Sequence, residues 1–81
     1  MVLNMTIQRQ FFDEIVNGSK KIEYRDIKPY WTKRLEGRAY SEVLFRNGYA
    51  PDAPRVRVEY NGFVKTDLYE IQLGKVLEVM H

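Results

Sequence analysis

Four glycine-bearing stops, Asn17-Gly18, Gly37, Asn47-Gly48 and Asn61-Gly62, cut this chain into short segments, and their spacing limits how it can bury its apolar faces. Leu3, Met5 and Ile7 alternate with Asn4 and Thr6 and predict a first strand. Phe11, Phe12, Ile15 and Val16 predict a helix over residues 9–17, with Asn17-Gly18 as its stop. Residues 20–26 read as a charged strand: Lys21, Glu23 and Arg25 share one parity, so one face is polar. Pro29 suits the first turn of a second helix over Tyr30 to Glu36, which Gly37 ends. Tyr40 to Arg46 is the next strand, and Asn47-Gly48 with Pro51 and Pro54 marks a loop. Val56, Val58 and Tyr60 alternate with Arg55, Arg57 and Glu59 as a further strand. Asn61-Gly62 is a tight turn or, better, a bulge, because Phe63-Val64 is a very short return strand. Tyr69 to Val79 closes the list.

These elements define an α+β protein, residues 1–81 forming one domain. Five or six short strands with two short helices bury their apolar faces most simply as a small closed or half-closed β-barrel, the helices covering an end. Tyr40, Tyr60 and Tyr69 are expected in its wall. An 81-residue domain buries only about 60 to 65% of its unfolded surface, so modest stability and no large catalytic pocket are expected.

The absence of cysteine excludes disulfides, thiolate ligands and a thiol nucleophile, and makes a cytoplasmic protein the simple expectation. The one histidine, His81, is expected to fray at the chain end, and the carboxylates have no calcium-loop spacing; neither a metal nor another cofactor is expected. The first residues lack a basic region before a long apolar run, and no apolar run approaches the roughly 20 residues that span a bilayer, so no membrane partner is expected.

Charge location says more than the net charge of +2. Residues 20–38 carry Lys20, Lys21, Arg25, Lys28, Lys33, Arg34 and Arg38 against Glu23, Asp26 and Glu36, so the basicity concentrates there. Such a patch attracts phosphates, and Tyr24, Tyr30, Trp31 and Tyr40 among the charges offer faces for unpaired bases. Each feature also has a purely structural reading. Lys33 and Arg34 suit a solvated helix face, Trp31 suits the core under the second helix, and Glu23 with Arg25 or Lys21 suits a surface ion pair.

Gly18-x-Lys20-x-x-Glu23-x-Arg25 resembles the G-x-K-x-x-E-x-R signature of the ASCH domain, a member of the PUA-like group. The helix before it and the final strand through Leu73-Gly74-Lys75 fall in the order that this family has. The chain is similar to a short version of the family, whose usual domain is longer. The resemblance implies a PUA-like barrel that binds RNA, single-stranded by the basic and aromatic composition, or a nucleotide. On that reading Lys20, Lys21, Lys28, Lys33, Arg34 and Arg46 meet phosphates, Glu23 and Arg25 hydrogen-bond a base edge or ribose, and Tyr24 or Trp31 stacks.

Some compact ASCH-like proteins are acetylcytidine amidohydrolases, in which a lysine and a threonine of the motif work with a distant glutamate. Lys20 matches that lysine, whereas Glu23 stands at the threonine position, so the hydroxyl nucleophile is missing. Glu59, Glu70 and Glu78 are candidates for the distant glutamate. A carboxylate beside Lys20 favours the ammonium over the neutral amine that a general base requires. The enzymatic alternative is therefore a metal-independent amidohydrolase or ribonuclease with Lys20 and Glu23 as catalytic residues. A third possibility is a protein-interaction module of a mobile element, with a protein as its partner.

Overall fold

In the computed structural model, which describes residues 1–81, the alternation of Leu3, Met5 and Ile7 becomes strand β1, Val2–Ile7, with all three side chains buried. Helix α1, Arg9–Val16, turns Phe12 and Ile15 into the core. It ends at Asn17, whose N–H donates to the Asp13 carbonyl, and Gly18 follows at φ +84°, a left-handed conformation that glycine adopts without strain. Strand β2 is Ile22–Asp26. Helix α2, Pro29–Leu35, starts on its proline and buries Leu35 completely. Strands β3, Glu42–Asn47, β4, Arg55–Lys65, and β5, Leu68–Met80, complete the chain. No helix is long and apolar enough to cross a membrane.

All five strands form one sheet in the order β1-β3-β4-β5-β2. Strand β1 runs parallel to β3, and the other pairings are antiparallel. Strands β1 and β2, neighbours among the strands in sequence, thus become the two outer edges. The sheet curls into a half-barrel around a core drawn from both helices and every strand except β2, with Phe45, Val43, Val56, Val58, Tyr69 and Ile71 at its centre. Tyr69 is fully buried, while Tyr40 and Tyr60 meet edge to face at 5.4 Å and pack on the core as wall residues.

The alternative of six strands resolves to five, because Phe63 and Val64 continue β4 rather than return from it. The Tyr60/Phe63 register shift lies at Asn61-Gly62, with Gly62 at φ +86°, so this dipeptide is a bulge and the strand runs on to Lys65. The hairpin turn lies instead at Thr66-Asp67, where the Thr66 N–H donates to the Leu68 carbonyl. Near the bulge the strands crowd: a Cβ on Gly74 would lie 2.8 Å from both Glu59 Oε1 and Asn61 Nδ2.

Two ionic clusters pin the sheet. On one, Arg57 of β4 grips Glu42 of β3 with two hydrogen bonds of 2.6 and 2.8 Å and donates to Glu78 of β5 at 2.7 Å. On the other, Glu36 at the end of α2 accepts from Lys65 at 2.8 Å and from the Tyr69 hydroxyl, which also meets Thr32 Oγ1 at 2.6 Å. The helix is thereby tied to β4 and β5. Hydrogen bonds from Lys65 and then Tyr69 hold the Glu36 carboxyl below the usual carboxylate range, and those from Arg57 do the same for Glu42.

A carboxylate lowered in the folded state adds stability above its unfolded value and loses it as pH falls through the folded one. Thermal stability should therefore fall below about pH 4.5. Glu36→Gln is expected to lower the midpoint at pH 7 and flatten that acid limb. An acid limb unchanged in this variant would contradict the assignment.

Candidate functional site

Strand β2 differs from the other four in what it sends inward. Its register sets Glu23 opposite Ile71 and Arg25 opposite Tyr69, so both charged side chains share the face of two core residues. Glu23 is only 5% exposed and is the one buried charged residue of the chain. Burying a carboxylate is tolerable only with counter-charges and hydrogen bonds, and Glu23 has both. Its Oε2 accepts from Arg25 Nη1 at 2.8 Å, while Oε1 faces Lys20 Nζ at 3.3 Å and accepts from the Tyr24 N–H at 3.3 Å.

The polar face expected on this strand thus exists, but it points into the barrel. Tyr24, of opposite parity, is the outward residue at 46% exposure. Residues 20 and 21 lie before the strand, which starts at Ile22, so parity does not govern them. Lys20 turns back to Glu23, whereas Lys21 stays exposed and contributes its carbonyl to the Leu73 N–H. The surface ion pair considered for Glu23 is therefore a buried one.

Arg25 spans the gap between the sheet edges. Nη1 donates to the Tyr24 carbonyl at 2.7 Å as well as to Glu23, and Nη2 reaches the Thr6 carbonyl of β1 at 3.4 Å. Its guanidinium carbon lies 5.2 Å from the centre of the Trp31 ring, within cation–π range. Where the edges part, a cleft of about 800 Å³ opens between the end of β1, the start of α1, β2 and the loop after β3. The barrel is not closed, and the open seam supplies this volume.

Lys20, Glu23, Tyr24 and Arg25 all line this cleft. Lys20 Nζ sits 5.1 Å from the Phe11 ring centre and 5.5 Å from that of Tyr24, so the ammonium is wedged between two aromatic faces. With Arg9 the lining carries three cations against the single carboxylate of Glu23. Lys28 belongs to a second, smaller cavity with Tyr24, Arg25 and Trp31, and pairs with Asp26 at 3.4 Å.

The remaining sequence candidates lie outside the main cleft. Arg34 stacks on Tyr30, its guanidinium carbon 3.5 Å from the ring centre, and with Lys33 it occupies the last turn of α2, where cations suit the helix dipole. Arg46 ties the following loop down by donating to the Ala50 carbonyl at 2.8 Å. Trp31 is half-buried: it packs on the core and also lines cavities.

Sequence reasoning missed Phe11, Asn47 and Tyr49 as cleft residues. A signal existed for Phe11, since adjacent Phe11 and Phe12 cannot both face the core of one helix. Phe12 takes the core and leaves Phe11 37% exposed. Tyr49 follows Gly48 in the loop and is 86% exposed at the cleft mouth.

No group of three histidine, cysteine, aspartate or glutamate side chains is arranged to hold a metal ion. No protein-family profile, curated protein or solved structure matches the chain.

Removing one partner of a buried ion pair costs about 3 to 5 kcal/mol. Glu23→Ala should destabilise the protein by about 3 kcal/mol in urea unfolding, because it strands Lys20 and Arg25. Glu23→Gln, which keeps the shape and an acceptor, should cost less. A loss below about 1 kcal/mol in Glu23→Ala would assign the triad the worth of a surface pair.

Proposed function

We propose that this chain is a short ASCH-like domain of the PUA-like group that binds single-stranded RNA or a nucleotide in the cleft between β1 and β2. The observation that carries the reading is the meeting of Lys20 and Arg25 around a buried carboxylate, beside the aromatic faces of Phe11 and Tyr24. Cations attract the phosphates, and aromatic faces accept bases, each stack being worth about 1 to 3 kcal/mol. The three charged residues of the G-x-K-x-x-E-x-R signature are joined through Glu23, which supports reading them as one functional unit. The cleft volume falls within the range of pockets that enclose a small organic ligand.

The alternative of a metal-independent amidohydrolase or ribonuclease centred on Lys20 and Glu23 rests on the same ion pair. It has less support, because both Glu23 oxygens are already engaged by cations and a backbone N–H. A carboxylate so engaged is well suited to fixing two cations for a ligand.

The test is a titration with short single-stranded and duplex RNA and DNA at two salt concentrations, followed by Trp31 fluorescence and by anisotropy. Salt-sensitive binding with a preference for single strands is expected, and Lys20→Gln should reduce the slope of log K against log salt by about 0.7, the contribution of one phosphate contact on a single strand. Absence of binding at low salt would overturn the nucleic-acid reading. Turnover of an acetylated cytidine that survives EDTA and is lost in Glu23→Gln would favour the hydrolase instead.

A further inference from the structure

Arg25 lines all three cavities along the seam, and the two largest take the rest of their lining largely from different residues. One is the cleft of about 800 Å³ with Lys20, Phe11 and Tyr24. The other is a cavity of about 380 Å³ between β1 and α2, lined by Asn4, Thr6, Tyr30 and Trp31. Both volumes are in the range of ligand pockets, and Tyr49 borders both. The second cavity has no carboxylate in its lining, so nothing in it repels a phosphate.

Cations and rings alternate along this seam. Arg34 stacks on Tyr30, the Tyr30 ring meets Trp31 edge-on at 5.0 Å, and Trp31 faces Arg25. Beyond Arg25 come Glu23, Lys20 and then Phe11 with Tyr24. A single nucleotide would use only one end of this row. Arg25, at its middle, has five N–H donors, of which Nη1 uses two and Nη2 one within the protein. Its Nε and one Nη2 hydrogen make no bond to the chain, which leaves the guanidinium a free edge for an oxyanion.

We propose that the seam holds two consecutive nucleotides of a single strand, one base in the Phe11–Tyr24 cleft, the next against Tyr30 and Trp31, and the phosphodiester between them on Arg25. This rests on the nucleic-acid reading above and sharpens it from nucleotide to strand. Bases on both sides find aromatic faces, and the one group they flank is the cation that a bridging phosphate requires.

Labelled oligouridylates of one to four nucleotides, in RNA and DNA forms, test this by anisotropy at low salt. Affinity should rise at least about tenfold from one nucleotide to two, as expected for gaining a stacked base and a phosphate contact. Trp31→Ala should reduce that gain more than it reduces mononucleotide binding. Since Trp31 packs partly on the core, Tyr30→Ala, at an exposed side chain of the same cavity, serves as the second variant and should reduce the gain in the same selective way. Equal affinity for one and two nucleotides, or equal loss at both lengths in Tyr30→Ala, would overturn the two-site inference while leaving the nucleic-acid reading standing. Absence of binding at every length would overturn both.

Discussion

The buried carboxylate of Glu23 is the constraint around which the open side of this barrel is organised. A lone carboxylate at an inward position would be neutralised or expelled to water, and expulsion would break the packing of β2 against β5. Lys20 and Arg25 satisfy it from two directions, one from the turn after α1 and one from the strand itself. Arg25 can then lean across to the Thr6 carbonyl, so a charged side chain does at the seam what a sixth strand or a β1–β2 ladder would do in a closed barrel. The cleft exists because that bridge is a side chain and not a ladder.

The rest of the fold frees the seam from other duties. Core packing comes from β1, β3, β4, β5 and the two helices, and β2 supplies no fully buried apolar side chain. The helix that faces the second cavity is anchored from behind by the Thr32–Tyr69–Glu36–Lys65 network, so Tyr30 and Trp31 are presented on a fixed element. The opposite ionic cluster at Arg57 stitches three strands away from the cleft. Stability and the candidate site thus draw largely on different residues, with Glu23 the exception.

Local structure was legible where glycine and periodicity agreed. Gly18 and Gly37 end their helices at positive φ, and the alternation of Val56, Val58 and Tyr60 made a strand as read. The Thr66-Asp67 hairpin was not legible, because Asn61-Gly62 carries the stronger turn chemistry while the strand absorbs it as a bulge. The motif residues were found, but their orientation was not: parity grouped Glu23 with Arg25 correctly, yet only the pairing with β5 decides that this face points inward. The cleft itself was invisible to a local reading. It depends on β1 and β2 becoming opposite edges of one sheet, a consequence of β3, β4 and β5 inserting between them. The same topology explains why Lys21, Lys33 and Arg34, close in sequence to the motif, do not line the main cleft, while Phe11 and Tyr49 do.

The β1–β2 seam is the proposed site of ligand binding. Amide chemical-shift mapping during titration with a short oligouridylate tests this, since every residue except Met1 and the three prolines has a backbone amide that reports. Binding at the seam places the shifts at Thr6, Phe11, residues 20–25, Trp31 and Tyr49. Shifts gathered instead around Glu42, Arg57 and Glu78 would contradict it and place the binding surface on the opposite face of the sheet.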